Sequence, residues 1–265
     1  FDRSRLALDP PLGGWDRDIS TSEELQQYAT AYDTLAGAGY DLGASDPLVR
    51  ENLTALASEL YQNYLHPEPA SGFANLHQNN HRAKSSAALI AAAIALAEST
   101  PAPGSDPTGL REPSAWLEYG LDQLDLVMSF ALVTPDGAYG EGPFYMRYAA
   151  QNLLPLWRAW DRLVDGAPWP ARGSVVPSLW RHPRFARQQR WMLDLTLPDG
   201  SLAPIDDANP GRSFYFGALP PGSPLAAAFA WRWANAPQPF DTDGNVDLGA
   251  DAIALFDDGV VPGPP

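Results

Sequence analysis

The sequence predicts an all-α fold. Three observations carry this. Apolar residues recur at steps of three and four over most of the chain, the segments that carry this rhythm are long, and they are separated by loops rich in Pro and Gly. Strand signals are few, so at most one small hairpin is expected. At 265 residues with 45% hydrophobic residues, including 9 Trp, 10 Tyr and 10 Phe, the chain holds ample material for a buried core.

The first helix is expected over Ser22–Ala36, capped by Thr21 or Ser22, with Glu23 and Glu24 complementing the dipole in the first turn. The second runs Asp46–Leu65, where Leu48, Leu53, Leu56, Leu60 and Tyr64 form one stripe. Asn52-Leu53-Thr54 is a glycosylation sequon, but inside a helix it carries no weight. The third helix spans Asn80–Glu98. Its part Ala87–Ala97 is apolar on every side, which implies burial among neighbouring helices rather than a membrane span, since eleven residues are too few. The fourth, Ser114–Leu132, presents Trp116, Leu117, Leu121, Leu124, Val127 and Met128. The fifth, Pro143–Leu163, contains Pro155, where a kink is expected. Pro177–Leu195, Ser223–Ala234 and the short Ala250–Phe256 follow. The expected hairpin lies in Leu193–Pro204, around Pro198-Asp199-Gly200. Such a succession suggests paired helices packed in a ring or bundle within a single domain, 1–265. The ending from 258 to 265, with Val260-Val261-Pro262-Gly263-Pro264-Pro265, reads as a linker to a further domain.

The formal net charge of -15 opposes nucleic acid and anionic membranes as partners. With no cysteine, disulfides and thiolate metal sites are excluded, and the redox compartment stays open. The chain begins at Phe1 without Met or a signal-peptide pattern, which reads as a processed or trimmed start.

Three segments could carry chemistry. The first is Asn75-Leu76-His77-Gln78-Asn79-Asn80-His81-Arg82-Ala83-Lys84, a polar cluster placed directly before the most apolar helix. Polar groups there must be satisfied or functional. An Asn cap explains one of them and leaves the other amides, two imidazoles and two cations unexplained. His77 and His81 stand four apart, but no HExxH and no third ligand accompany them, so no metal is assigned. The second is Asp136-Gly137-Ala138-Tyr139-Gly140-Glu141-Gly142-Pro143-Phe144-Tyr145-Met146-Arg147-Tyr148. Its glycines permit close approach, and Tyr145, Tyr148 and Asn152 share one helical face. An aromatic core stripe is the plain alternative. The third, Leu197 to Pro210, places Asp206 and Asp207 in a turn-rich stretch that serves equally as a simple loop.

In their order these segments resemble the heparinase II/III-type polysaccharide lyases. There an Asn-His pair opening a buried helix is followed by an acidic–Gly/Ser–Pro–x–Tyr segment. The matching residues are Asn80-His81 and Glu141-Gly142-Pro143-Phe144-Tyr145, and Pro198–Asp207 is similar to a further loop of that fold. The likeness spans residues of about 75 to 210. It implies an incomplete (α/α) toroid of paired antiparallel helices, followed by a β-sandwich domain of the same parent protein. It also implies a periplasmic or secreted bacterial protein acting on an acidic polysaccharide or oligosaccharide.

The residue chemistry fits β-elimination on a uronic acid. Removal of the C5 proton beside a carboxylate needs donors for the developing enediolate, a base, and an acid for the C4 oxygen. Asn80 is the candidate donor, and His81 and Tyr145 the candidate proton carriers. Gln78, Asn79, Arg82, Lys84, Tyr139, Glu141, Arg147 and Tyr148 are candidate substrate contacts, with Arg82, Lys84 and Arg147 expected to make the cleft locally basic. No redox cofactor is required. The competing readings are a toroid glycoside hydrolase using Glu141 with Asp206 or Asp207, and a non-catalytic domain whose aromatic rings stack on sugars.

Overall fold

The all-α prediction holds. In the computed structural model, the residues described are 17–65, 80–97, 106, 108–127, 133–164, 168–169, 174–175, 183–198, 203–205, 219, 222–235 and 259–264. They form α1 (Arg17–Gly37), a 3-10 turn (Gly43–Ser45), α2 (Asp46–Leu65), α3 (Asn80–Ala95), α4 (Pro113–Leu126), α5 (Gly142–Val164), α6 (Pro183–Asp194) and α7 (Ala226–Asn235). Among the described residues, β structure amounts to a two-residue antiparallel ladder, β1 (Pro168–Trp169) with β2 (Ser174–Val175), and isolated bridging. Residues 199–202 of the expected hairpin lie outside the described residues; beside them, Ala203 N–H donates to the Leu195 carbonyl at 3.0 Å. Ala250–Phe256 lies outside the described residues.

The chain divides into two compact units, residues 1–77 with 81–124, and residues 78–80 with 125–265. In the first unit α1 to α4 share one core. Helix α2 keeps its predicted bounds, because Leu53, Leu56, Leu60 and Tyr64 recur on one buried face. Leu48 departs from the expected stripe at 58% exposed. Asn52 of the sequon is buried. Helix α1 begins five residues before the predicted start. Ser22 is therefore no cap; it is buried within the helix, and its hydroxyl donates back to the Asp18 carbonyl.

Helix α3 is buried along most of its length, as its apolar circumference requires. Gly120 lets α4 come close to α3: a Cβ there would lie 2.6 Å from Ile90 Cγ1 and 2.9 Å from the Ser86 carbonyl oxygen. Trp116 of α4 is fully buried and donates its indole N–H to the Leu110 carbonyl at 2.8 Å, which ties the preceding loop to the helix start. Pro113 opens α4, where its missing N–H costs nothing.

In the second unit α5 and α6 meet through Trp157 and Phe185, with ring centroids 4.6 Å apart and planes at 87°. This edge-to-face pair contributes about 0.5–1.5 kcal/mol beyond the area it buries. Helix α5 continues through Pro155. The segment before it turns back on itself: Thr134 N–H donates to the Ala138 carbonyl at 2.9 Å, and Val133 bridges Tyr139. Helix α6 holds this loop by donating from Arg184 to the Val133 carbonyl and from Arg187 to the Pro135 carbonyl. The residues expected as a linker include Gly263, whose N–H donates to the Ala227 carbonyl of α7 at 3.0 Å. Among the described residues, no helix is long and apolar enough to cross a membrane.

Candidate functional site

The predicted Asn-His pair opens α3, and the two side chains engage different carboxylates. Asn80 is 3% exposed. Its Nδ2 donates to Glu141 Oε1 at 3.3 Å, while its Oδ1 is buried with no partner among the described residues. Glu141 directly precedes α5, so the two predicted motifs, 61 positions apart, meet in the second unit. A buried amide with one half unsatisfied departs from the usual rule for interiors and marks a place where a ligand atom could complete it.

His81, in the first unit, turns to α1. Its Nδ1 lies 2.9 Å from Asp18 Oδ1 and 3.0 Å from Asp18 Oδ2. The Tyr64 hydroxyl of α2 donates to Asp18 Oδ2 at 3.0 Å and lies 2.8 Å from Ser85 Oγ and 3.2 Å from the His81 carbonyl oxygen. Ser85 Oγ in turn sits 2.7 Å from Ser22 Oγ. Three helices thus share one buried polar network. Burial pushes the Tyr64 hydroxyl well above its ordinary pKa, and the neighbouring Asp18 charge adds to this. Tyr64 is therefore a neutral donor throughout the physiological range.

The basic residues of the pair's own helix are corrected by the structure. Lys84 was expected in the substrate lining. Its side chain is 0% exposed and its Nζ forms an ion pair with Glu23 Oε1 at 2.9 Å. Burial lowers the Lys84 pKa, and Glu23 opposes that shift. The fully buried Lys84 ammonium is thus paired with a partly exposed carboxylate of α1 within the first unit. Arg82 is also buried. It donates to the Tyr119 hydroxyl, and its guanidinium sits 4.6 Å from the Tyr64 ring centroid. Burial raises the Tyr119 pKa, and the Arg82 charge pulls it back. Tyr119 also packs edge-on against Tyr61 at 5.4 Å.

In the second unit, Tyr139 and Arg147 are buried and Tyr145 and Tyr148 are half-buried. Arg147 stacks over the Phe144 ring at 5.3 Å, and Tyr145 meets the same ring edge-on at 5.3 Å. Arg82 in the first unit and Arg147 in the second are thus each buried and held over an aromatic ring. Gln78, Asn79 and His77 lie outside the described residues, as do Asp206 and Asp207, the carboxylates a hydrolase would pair with Glu141.

No sequence pattern marks Asp18, Ser22, Tyr64 and Ser85 as members of the polar network, or Tyr119 as the partner of Arg82. Asp18 stands 63 positions from His81, and no local spacing joins them. The one available signal was the polar run Lys84-Ser85-Ser86 at the head of an otherwise apolar helix. No protein-family model matches the chain, and no curated protein matches it either.

Proposed function

We propose that this protein is a polysaccharide lyase that cleaves a uronic-acid-containing chain by β-elimination. The observation that carries the reading is the consecutive pair Asn80-His81 at the head of a buried helix, with both side chains buried and each engaged by a separate carboxylate. One residue offers an amide donor and the next a proton carrier held in one orientation, and the chemistry calls for both.

In the proposed reaction the base takes the proton from C5 of the uronate. The electron pair delocalises into the adjacent carboxylate, where the Asn80 amide stabilises the enediolate. The C4–O bond then breaks, the departing oxygen takes a proton from the acid, and a C4=C5 double bond remains. His81 and Tyr145 divide the acid and base roles. Asn80 Nδ2 carries two hydrogens. One is directed at Glu141, and the second is available in number for a carboxylate of the substrate. The toroidal arrangement of paired helices, a following domain and a periplasmic or secreted location belong to the same proposal.

The experiment is incubation of the purified protein with alginate, glycosaminoglycans and bacterial exopolysaccharides, followed by ultraviolet absorbance of the new double bond and by reducing ends. Absorbance rising with reducing ends supports elimination. Reducing ends without absorbance would replace the lyase by the hydrolase, and oligosaccharide binding without either would replace it by a binding domain.

A further inference from the structure

We propose that Asp18 is a positioning residue that fixes the tautomer and orientation of His81, making Nε2 the nitrogen that exchanges a proton with substrate. The catalytic half of this statement rests on the lyase reading; the tautomer half does not.

Both Asp18 oxygens lie within hydrogen-bond distance of the same ring nitrogen, at 2.9 and 3.0 Å from His81 Nδ1. An ionised carboxylate only accepts, so Nδ1 must carry the hydrogen. In the neutral imidazole the lone pair then resides on Nε2, because one nitrogen donates and the other accepts. A carboxylate behind an imidazole also stabilises the imidazolium that forms when Nε2 takes a proton. The contact therefore assigns both which nitrogen acts and which way the ring faces.

Asp18 is itself held. Its Oδ2 accepts from the Tyr64 hydroxyl at 3.0 Å, and its carbonyl accepts from the buried Ser22 hydroxyl. The Tyr64 proton stays in place because burial holds that hydroxyl neutral. Side chains from α2 and α3 thus converge on the Asp18 carboxylate of α1, with side-chain exposures of 13% for Asp18 and 11% for His81. A cap or a surface ion pair needs no such enclosure. A histidine that serves only packing needs no carboxylate aimed at one of its nitrogens.

The test is nitrogen-15 NMR of histidine-labelled protein at a pH well above the imidazole range, where long-range proton–nitrogen couplings report the tautomer. The chain has four histidines, so the His81 signals are identified by their loss in His81→Gln. The expected wild-type result is hydrogen on Nδ1, against the usual preference of free histidine for Nε2. Hydrogen on Nε2 of wild-type His81 overturns the proposal, and this measurement needs no other variant to fold. Asp18→Asn is expected to shift the ring toward the Nε2 tautomer, since the new amide can donate to Nδ1. An unchanged tautomer in Asp18→Asn also overturns it. With an elimination substrate in hand, Asp18→Asn should lose about 10²–10⁴-fold in kcat with KM little changed, and Asp18→Glu should recover part of it. A purely structural Asp18 would instead lower the melting temperature and leave kcat per folded molecule intact. Absence of elimination in the wild type with hydrogen on Nδ1 would sink the lyase reading and leave the tautomer assignment standing.

Discussion

Replacing Gly137 by Ala probes how the loop that leads into α5 is held. Gly137 has φ of 99°, a left-handed conformation that costs an L-residue about 1–2 kcal/mol. The space is closed as well. A Cβ there would lie 2.3 Å from the Arg187 carbonyl carbon and 2.6 Å from both the Arg187 oxygen and the Gln188 nitrogen. Ordinary contacts between carbon atoms are about 3.5–4.0 Å, so loop and helix α6 must part by roughly an ångström. The obstructing atoms are helix backbone and have no rotamer to change. Overpacking of this kind costs about 1–3 kcal/mol, and separation also strains the bonds from Arg184 and Arg187 to the Val133 and Pro135 carbonyls. The sum is about 2–5 kcal/mol, a large part of the roughly 5–15 kcal/mol that holds a typical domain together. Gly222→Ala is the internal control. Gly222, in the same unit, has φ of 78° but nothing within 4 Å of its Cβ position. It shares the backbone strain without the collision. Urea denaturation of both variants and the wild type reads the difference. If Gly137→Ala proves no less stable than Gly222→Ala, the close approach of loop and α6 is wrong.

Other perturbations have equally definite outcomes. Lys84→Met removes a buried charge and leaves Glu23, whose side chain is 37% exposed, to water, so stability should change by less than about 1 kcal/mol. Glu23→Ala removes the carboxylate 2.9 Å from the buried Lys84 ammonium and should cost more than Lys84→Met. Denaturant midpoints in the reverse order would show that the pair is not buried as described. The Tyr64 hydroxyl is raised above its ordinary value of 10.0, so the unfolded chain releases that proton before the folded one does. Its contribution to stability is whole below pH of about 10 and falls as pH climbs toward the folded value. Tyr64→Phe should therefore flatten the alkaline loss of stability, and parallel pH curves for both proteins would refute this. Tyr145→Phe keeps the ring against Phe144 and should lose about 10²–10⁴-fold in turnover at nearly unchanged melting temperature. Near-wild-type turnover would remove Tyr145 from the mechanism.

Much of the secondary structure was legible in the chain itself, because helix formation depends on neighbours three and four positions away. The bounds of α2 follow from its apolar period, and the burial of α3 from its unbroken run of Ala, Leu and Ile. The two motifs that nominated Asn80 and Glu141 are likewise local patterns, although their meeting at 3.3 Å is not. Where the reading went astray, a distant partner had overridden a local rule. Ser22 has the residue type of a cap, yet packing against Ser85 draws it inside a longer helix. Lys84 looked like a ligand for an anionic substrate, yet Glu23 one helix away takes its charge. Asp18 carried no signal at all, because it stands ahead of the expected helix start at Ser22, where an acid is ordinarily a solvated residue. Residue types and spacing determined which groups could donate, accept or carry a proton. Tertiary packing alone decided which carboxylate faces which amide or imidazole, since a contact spanning 63 positions depends on how helices dock and leaves no period in the sequence.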